Sequence, residues 1–297
     1  MKYYRFFIAI FIGILLPFLS GCISWEPGWK LAKAAAVKGD VKILMEKAGK
    51  LEGEADSGEK LRQLIRALEE VLKADPENRE ALHDLGCYQF LLGYAYCDNL
   101  DEKKENYRKA IQYNERALYG DPDFKALVDK GEPVWDACRV IKKDNMRALY
   151  FWYMAVGNWW TDCLGPCAKL ANFYWIGRAK TTLEHMLKIY PQWGSGRVYF
   201  AWACMYTVSP GILGGDMKKA EEYFKKAFDL GPHMSVFYAS RARYYQTKLK
   251  DRKAFSGDLH HAIAIDPRKA DALEYPWAAW YHVNAAQMLK DTDTYFK

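Results

Sequence analysis

Apolar side chains recur every three or four positions along most of this chain, which is the spacing of amphipathic helices. No convincing stretch alternates apolar and polar residues between Asn-Gly or Asp-Gly turns. The pattern predicts helices over 28–49, 58–74, 77–98, 102–119, 134–156, 168–189, 196–206, 216–230, 233–249, 252–265 and 268–290. Breaks fall at Gly53, Gly58, Gly131 to Pro133, Gly165-Pro166, Pro191 to Gly196 and Pro210 to Gly215. The expected class is all-α, and with no linker rich in Pro, Gly or Ser the chain reads as one domain.

Prolines punctuate these helices in a common register. Five positions before Pro76, Pro122, Pro191, Pro232 and Pro267 stand Val71, Ala117, Met186, Ala227 and Ala262. Twelve positions before them stand Leu64, Ala110, Ala179, Ala220 and Phe255. That is the spacing of the second helix of a tetratricopeptide (TPR) unit, in which small residues let two helices approach and proline stops the second. "MKKAEEYFKKAFDLGP" (217–232) is the cleanest copy, with Asp216 as its N-cap, and Leu85-Gly86 fits a first helix. The proline intervals are unequal, so irregular TPR-like helix pairs are expected to form a curved superhelical body. Extra helices are inserted between Pro122 and Pro191.

That insertion contains "ALYFWYMAVGNWWTDCLGPC" (148–167), in which four consecutive aromatic residues nearly encircle a helix. Such a segment is either packed on every side or partly lines a cavity. Phe173-Tyr174-Trp175, Trp193, Tyr199, Phe200, Trp202 and Tyr206 continue the aromatic material, while Asn158, Lys169 and Asn172 interrupt it with polar groups. An apolar pocket with a few placed polar groups is what a small-molecule site looks like. The candidate ligand-binding residues are Trp152, Asn158, Trp159, Trp160, Lys169, Asn172 and Trp202, with Lys169 or Arg147 to meet a carboxylate.

The first residues change the picture of where this body works. Lys2 and Arg5 precede an apolar run from Phe6 to Phe18 that ends in Leu19-Ser20-Gly21-Cys22, a match to every position of the bacterial lipoprotein box. Residues 1–21 therefore read as a signal peptide, and 22–297 as the mature domain, lipidated on Cys22 and attached to a bacterial membrane in the periplasm. Removing Lys2 and Arg5 lowers the formal net charge from +6 to +4, and no run of five basic residues exists, so nucleic acid is not an expected partner.

Catalytic chemistry has little to stand on. The histidines (83, 185, 233, 260, 261, 282) form no HExxH, and no metal site or cofactor is expected. Ser57-Gly-Glu-Lys60 spells S-x-x-K without its companion motifs and reads as a helix N-cap. Gly194-Ser195-Gly196 reads as a turn. Six cysteines remain after Cys22, and Cys163 and Cys167 could be independent thiols, a structural bridge or a redox or metal pair.

Together, the lipoprotein box, the irregular TPR-like helices, "ALYFWYMAVGNWW" (148–160) and "SPGILGGDMKKAEEYFKKAF" (209–228) resemble the TRAP transporter T-component family. These are accessory lipoproteins of tripartite ATP-independent periplasmic transporters. The resemblance implies an all-α homotrimer, a hydrophobic cavity or pore in each protomer, association with the solute-binding P-component, and no enzymatic activity. It transfers no ligand map and does not explain Cys163 and Cys167. The expected function is a lipid-anchored adaptor that docks the P-component and holds or passes an apolar or amphipathic organic acid. The alternative is a TPR scaffold lipoprotein of cell-envelope assembly with a filled core and no ligand.

Overall fold

A computed structural model describes residues 23–31, 37–269 and 274–296; the lipoprotein box and Cys22 lie outside them. The described residues are helical, with no strand. The first helices are α1 (Val41–Glu52), α2 (Gly58–Ala74), α3 (Arg79–Tyr96), α4 (Leu100–Tyr119) and α5 (Pro122–Val128). Each starts on a side chain that accepts from its first turn: Asp40, Ser57, Asn78, Asn99 and Asp121. Ser57 accepts from the Lys60 N–H, so S-x-x-K is a cap here. Successive helices α1 to α4 pack as hairpins.

Of the ten positions in the proline register, nine are buried: Leu64, Val71, Ala110, Ala117, Met186, Ala220, Ala227, Phe255 and Ala262. Ala179 is half-buried. The pattern reports a real packing stripe, although the helices after α5 depart from regular pairs. The helix expected over 134–156 is broken. A short α6 (Val134–Ala137) is followed by two 3-10 turns, and α7 runs from Met146 to Cys163. The break is held by non-local partners, with Asn145 Nδ2 donating to Asp121 and His185 bonding the Ile141 carbonyl. The span 168–189 is likewise two helices, α8 (Pro166–Ala171) and α9 (Tyr174–Ile189), parted at Asn172.

The remaining helices are α10 (Trp193–Val208), α11 (Met217–Leu230), α12 (Ser235–Ser240), α13 (Arg252–Ala264), α14 (Tyr275–Lys290) and α15 (Thr292–Tyr295). α12 continues into a π-helical turn at Arg241–Gln246. α7 packs on α3, α4 and α9, and α10 packs on α11. The array then closes on itself, because α14 returns to α3: Trp277 meets Phe90 at 5.5 Å between ring centroids and donates from Nε1 to Cys87 Sγ at 3.2 Å. α7, the aromatic helix, is thereby enclosed.

The segment 23–30 is bolted to this body at nearly every step. The Ile23 N–H donates to Asn172 Oδ1, Trp25 Nε1 and the Gly28 N–H donate to the two oxygens of Glu115, and Gln112 Nε2 donates to the Glu26 carbonyl. Only glycine fits at position 28, since a Cβ there would lie 2.0 Å from the Gln112 carbonyl oxygen. Trp29 stacks on Tyr119 at 5.6 Å.

Glu115 is buried and also accepts from Trp152 Nε1. Burial pushes its carboxyl up to about 7 despite these three hydrogen bonds. The folded protein thus holds this proton more tightly than the unfolded chain. The group's stabilising contribution is complete below the ordinary value of 4.5 and is lost as pH rises through 7. In urea unfolding, the difference between the protein and Glu115→Gln should change by roughly 3 kcal/mol across that window. Glu115→Gln should remove that part of the slope, leaving the same-signed contribution of Asp84, whose carboxyl burial raises to about 6, and the opposite one of His83, whose imidazole burial lowers to about 4. An unchanged slope in the variant would remove Glu115 from the explanation.

Candidate functional site

Helix geometry divides the aromatic run on α7. Each residue turns about 100°, so positions 152, 155 and 159 share one stripe while 150, 151, 153, 154, 157, 158, 160 and 161 fall around the other side. The second set, together with Val156 and Asp162 at its margins, borders a cavity of about 190 Å³. Its other walls are Phe90 and Tyr94 of α3, Trp175, Ile176 and Ala179 of α9, and Arg197 to Ser209 of α10. Val236, Ser240 and Tyr244 around the π turn close it, with Trp277 and Tyr281 of α14. Six parts of the chain converge on one apolar space, and a π turn is a frequent companion of functional sites.

Of the residues singled out from sequence, Asn158 and Trp160 border the cavity. The others do not. Trp152 and Trp159 lie on the opposite stripe and pack on Trp25, at 6.4 and 6.1 Å between centroids. Asn172 is fully buried but spends its side chain on the Ile23 N–H and the Ala168 carbonyl. Trp202 packs against Tyr206 and Tyr223, between α10 and α11. Lys169 rides over the Trp160 ring at 5.5 Å, behind the wall. Arg147 is held by Asp84 and lies 3.4 Å from Glu274.

The guanidinium in the wall belongs instead to Arg197, which composition and spacing did not reveal. Gly194, Ser195 and Gly196 all have left-handed backbone (φ 58°, 54° and 93°), so the helix proper starts at Arg197. Gly196 also approaches α11 so closely that a Cβ would sit 2.9 Å from the Ala227 carbonyl oxygen. This unwound turn delivers a 5% exposed arginine to Glu274, Nη2 to Oε2 2.8 Å. Burial opposes charge on both groups. The mutual charge overcomes it, raising the guanidinium's pKa and lowering the Glu274 carboxyl's. With Arg147 and Asp84 the cluster holds two cations and two carboxyl groups, so it places no large net field at the wall.

Among the cavity-lining groups, the buried indole N–H groups of Trp160 and Trp175 have no hydrogen-bond partner among the described residues. Buried donors are rarely left unpaired, and these two are enclosed in the wall itself. Burial raises the hydroxyl pKa of Tyr94, Tyr150, Tyr153 and Tyr281, so these remain neutral. It pushes the Cys204 thiol up to about 12, which keeps that sulfur from acting as a nucleophile near neutral pH. Cys163 is buried and Cys167 exposed, and all six described cysteines are free thiols. No group of three or more His, Cys, Asp or Glu among the described residues is placed to hold a metal ion. No helix of the described residues is long and apolar enough to cross a membrane.

A protein-family model described as TRAP transporter T-component matches residues 95–296, the span that contains α7, the π turn and every cavity wall except Phe90 and Tyr94. No curated protein sequence matches the chain.

Proposed function

Since the chain belongs to the TRAP transporter T-component family and is thus an accessory component of such a transporter, we propose that it is a lipid-anchored periplasmic adaptor whose cavity takes a small organic acid. The observation carrying this reading is the apolar cavity itself, with the Arg197–Glu274 pair at its wall. Size narrows the class of ligand. A dry cavity of about 150 Å³ accepts benzene, whereas sites for drug-sized ligands run to about 300–1,000 Å³. At about 190 Å³ the space suits a short aliphatic or aromatic tail. The tail enters by apolar burial, with its carboxylate toward the Arg197 end of the wall. The P-component is the docking partner, and the protomers assemble as a homotrimer.

Calorimetric titration of the full chain with hexanoate tests the ligand. Burying five carbons at about 0.8 kcal/mol each gives an affinity on the order of 1 mM before any head-group contribution. Ala201→Phe projects a ring from the buried wall of α10 into the space and should abolish the heat of binding while the protein remains folded. Equal binding by that variant would place the ligand elsewhere. No binding by the unaltered protein to any short carboxylate would favour a scaffold without a ligand.

A further inference from the structure

We propose that the surface around α8 lies against the membrane, so that the acylated N-terminus is a fixed mount and not a tether. The proposal rests on the lipid-anchored reading above. Lipoproteins can carry a flexible run after the acylated cysteine, whereas here the next residue is already held by the body. The residue after Cys22 is Ile23, whose N–H is bonded at 3.0 Å to Asn172 Oδ1 inside the body. Two residues further on, Trp25 is wedged against Trp152, Trp159 and Trp175 and bonded to Glu115. One peptide bond therefore separates the acylated residue from a buried point held by Asn172, the residue that ends α8.

The side chains around that point suit a lipid surface. Leu170 is 74% exposed and Phe173 52% exposed, both within two residues of Asn172, and Tyr174 beside them is exposed as well. Between Asp162 and Glu184 the chain carries Lys169, Arg178 and Lys180 and no acidic residue. Arg178 lies over the Tyr174 ring at 4.3 Å and Lys169 over Trp160. Apolar side chains flanked by aromatic rings and cations are the composition of an interfacial contact, and the cations suit anionic headgroups. Acyl chains supply the affinity, so what this patch adds is orientation. Trp175 packs on Trp25 and also borders the cavity, so the mount holds the cavity wall close to the bilayer.

Cys167, the exposed thiol of the six described, sits on α8 and accepts an environment-sensitive label. The mature acylated protein, labelled there, is placed in phosphatidylcholine–phosphatidylglycerol vesicles carrying a shallow nitroxide lipid. The label should shift to the blue and lose emission. A comparator with Cys167→Ser and Lys225→Cys, labelled on α11, should do neither. Leu170→Glu with Phe173→Glu changes exposed positions only, and should restore emission at Cys167 while the protein still floats with vesicles. Floating protein whose two labels are quenched equally, or not at all, overturns the fixed mount. A label at Cys167 already shielded from aqueous iodide in soluble Cys22→Ala protein assigns the patch to a second copy and also overturns it. Protein without an acyl mass increment that fails to float removes the lipid anchor itself, and the mount with it.

Discussion

Trp152→Ala should lower the unfolding free energy by about 3–5 kcal/mol, the range for removing a large ring from a packed core. The ring is 1% exposed, packs edge-on against Trp25, and donates from Nε1 to Glu115. Truncation leaves a void under the N-terminal segment and takes one hydrogen bond from a buried carboxyl. Trp152→Phe keeps most of the packing and should cost far less, on the order of the hydrogen bond at about 1 kcal/mol plus a small void. Trp160→Ala, on the same helix, should also cost less than Trp152→Ala. Trp160 is half-buried and borders the cavity, where part of its surface already lacks packing atoms. Denaturant midpoints of the three variants give this order. Equal costs for Trp152→Ala and Trp160→Ala would mean that the space beside Trp160 is filled.

Arg197→Ala is the second large effect, at about 3 kcal/mol. Removing one partner of a buried ion pair typically costs about 3–5 kcal/mol because the other charge stays buried. The lower end applies here, since Arg147 remains 3.4 Å from the Glu274 carboxylate. Replacing both partners by apolar residues (Arg197→Met with Glu274→Met) should recover most of the loss, as Arg147 keeps Asp84. The double-mutant cycle separates this coupling from simple truncation. Strictly additive costs would show that the pair is not coupled. The recovered double variant should still bind hexanoate less well, because the guanidinium edge is gone.

Much of the fold was legible because local rules set it. Caps and the proline register located α2, α3, α4 and α11 to within a few residues, and the buried positions before each proline follow from helical spacing alone. The cavity face of α7 was legible in principle too. Counting 100° per residue puts Trp152 and Trp159 on one stripe and leaves Asn158 and Trp160 off it, one on either side, so helical spacing by itself separates that stripe from the rest of the ring cluster. Ring density did not make that separation. What lay beyond reach was set by distant partners. The break before Met146 depends on Asp121 and His185. Glu115 sits on a helix crowded with surface charges, and nothing local pairs it with Trp25 ninety residues earlier. Arg197 has the sequence context of an ordinary helix arginine, and it is the left-handed turn before it that aims it inward.

The return of α14 to α3 has a consequence for the order in which this protein assembles. Nearly all of its neighbouring helices are close in sequence, which favours fast, local folding. The bond from Trp277 to Cys87 spans 190 residues and carries a large loop-closure cost. Hairpins α1 to α4 can form as the chain emerges during synthesis. The cavity needs Trp277 and Tyr281 for its last wall and exists only once the C-terminal helix has docked. Closure of the cavity is thus the final event of folding, and a chain cut short before Glu274 would keep its hairpins but not enclose that space.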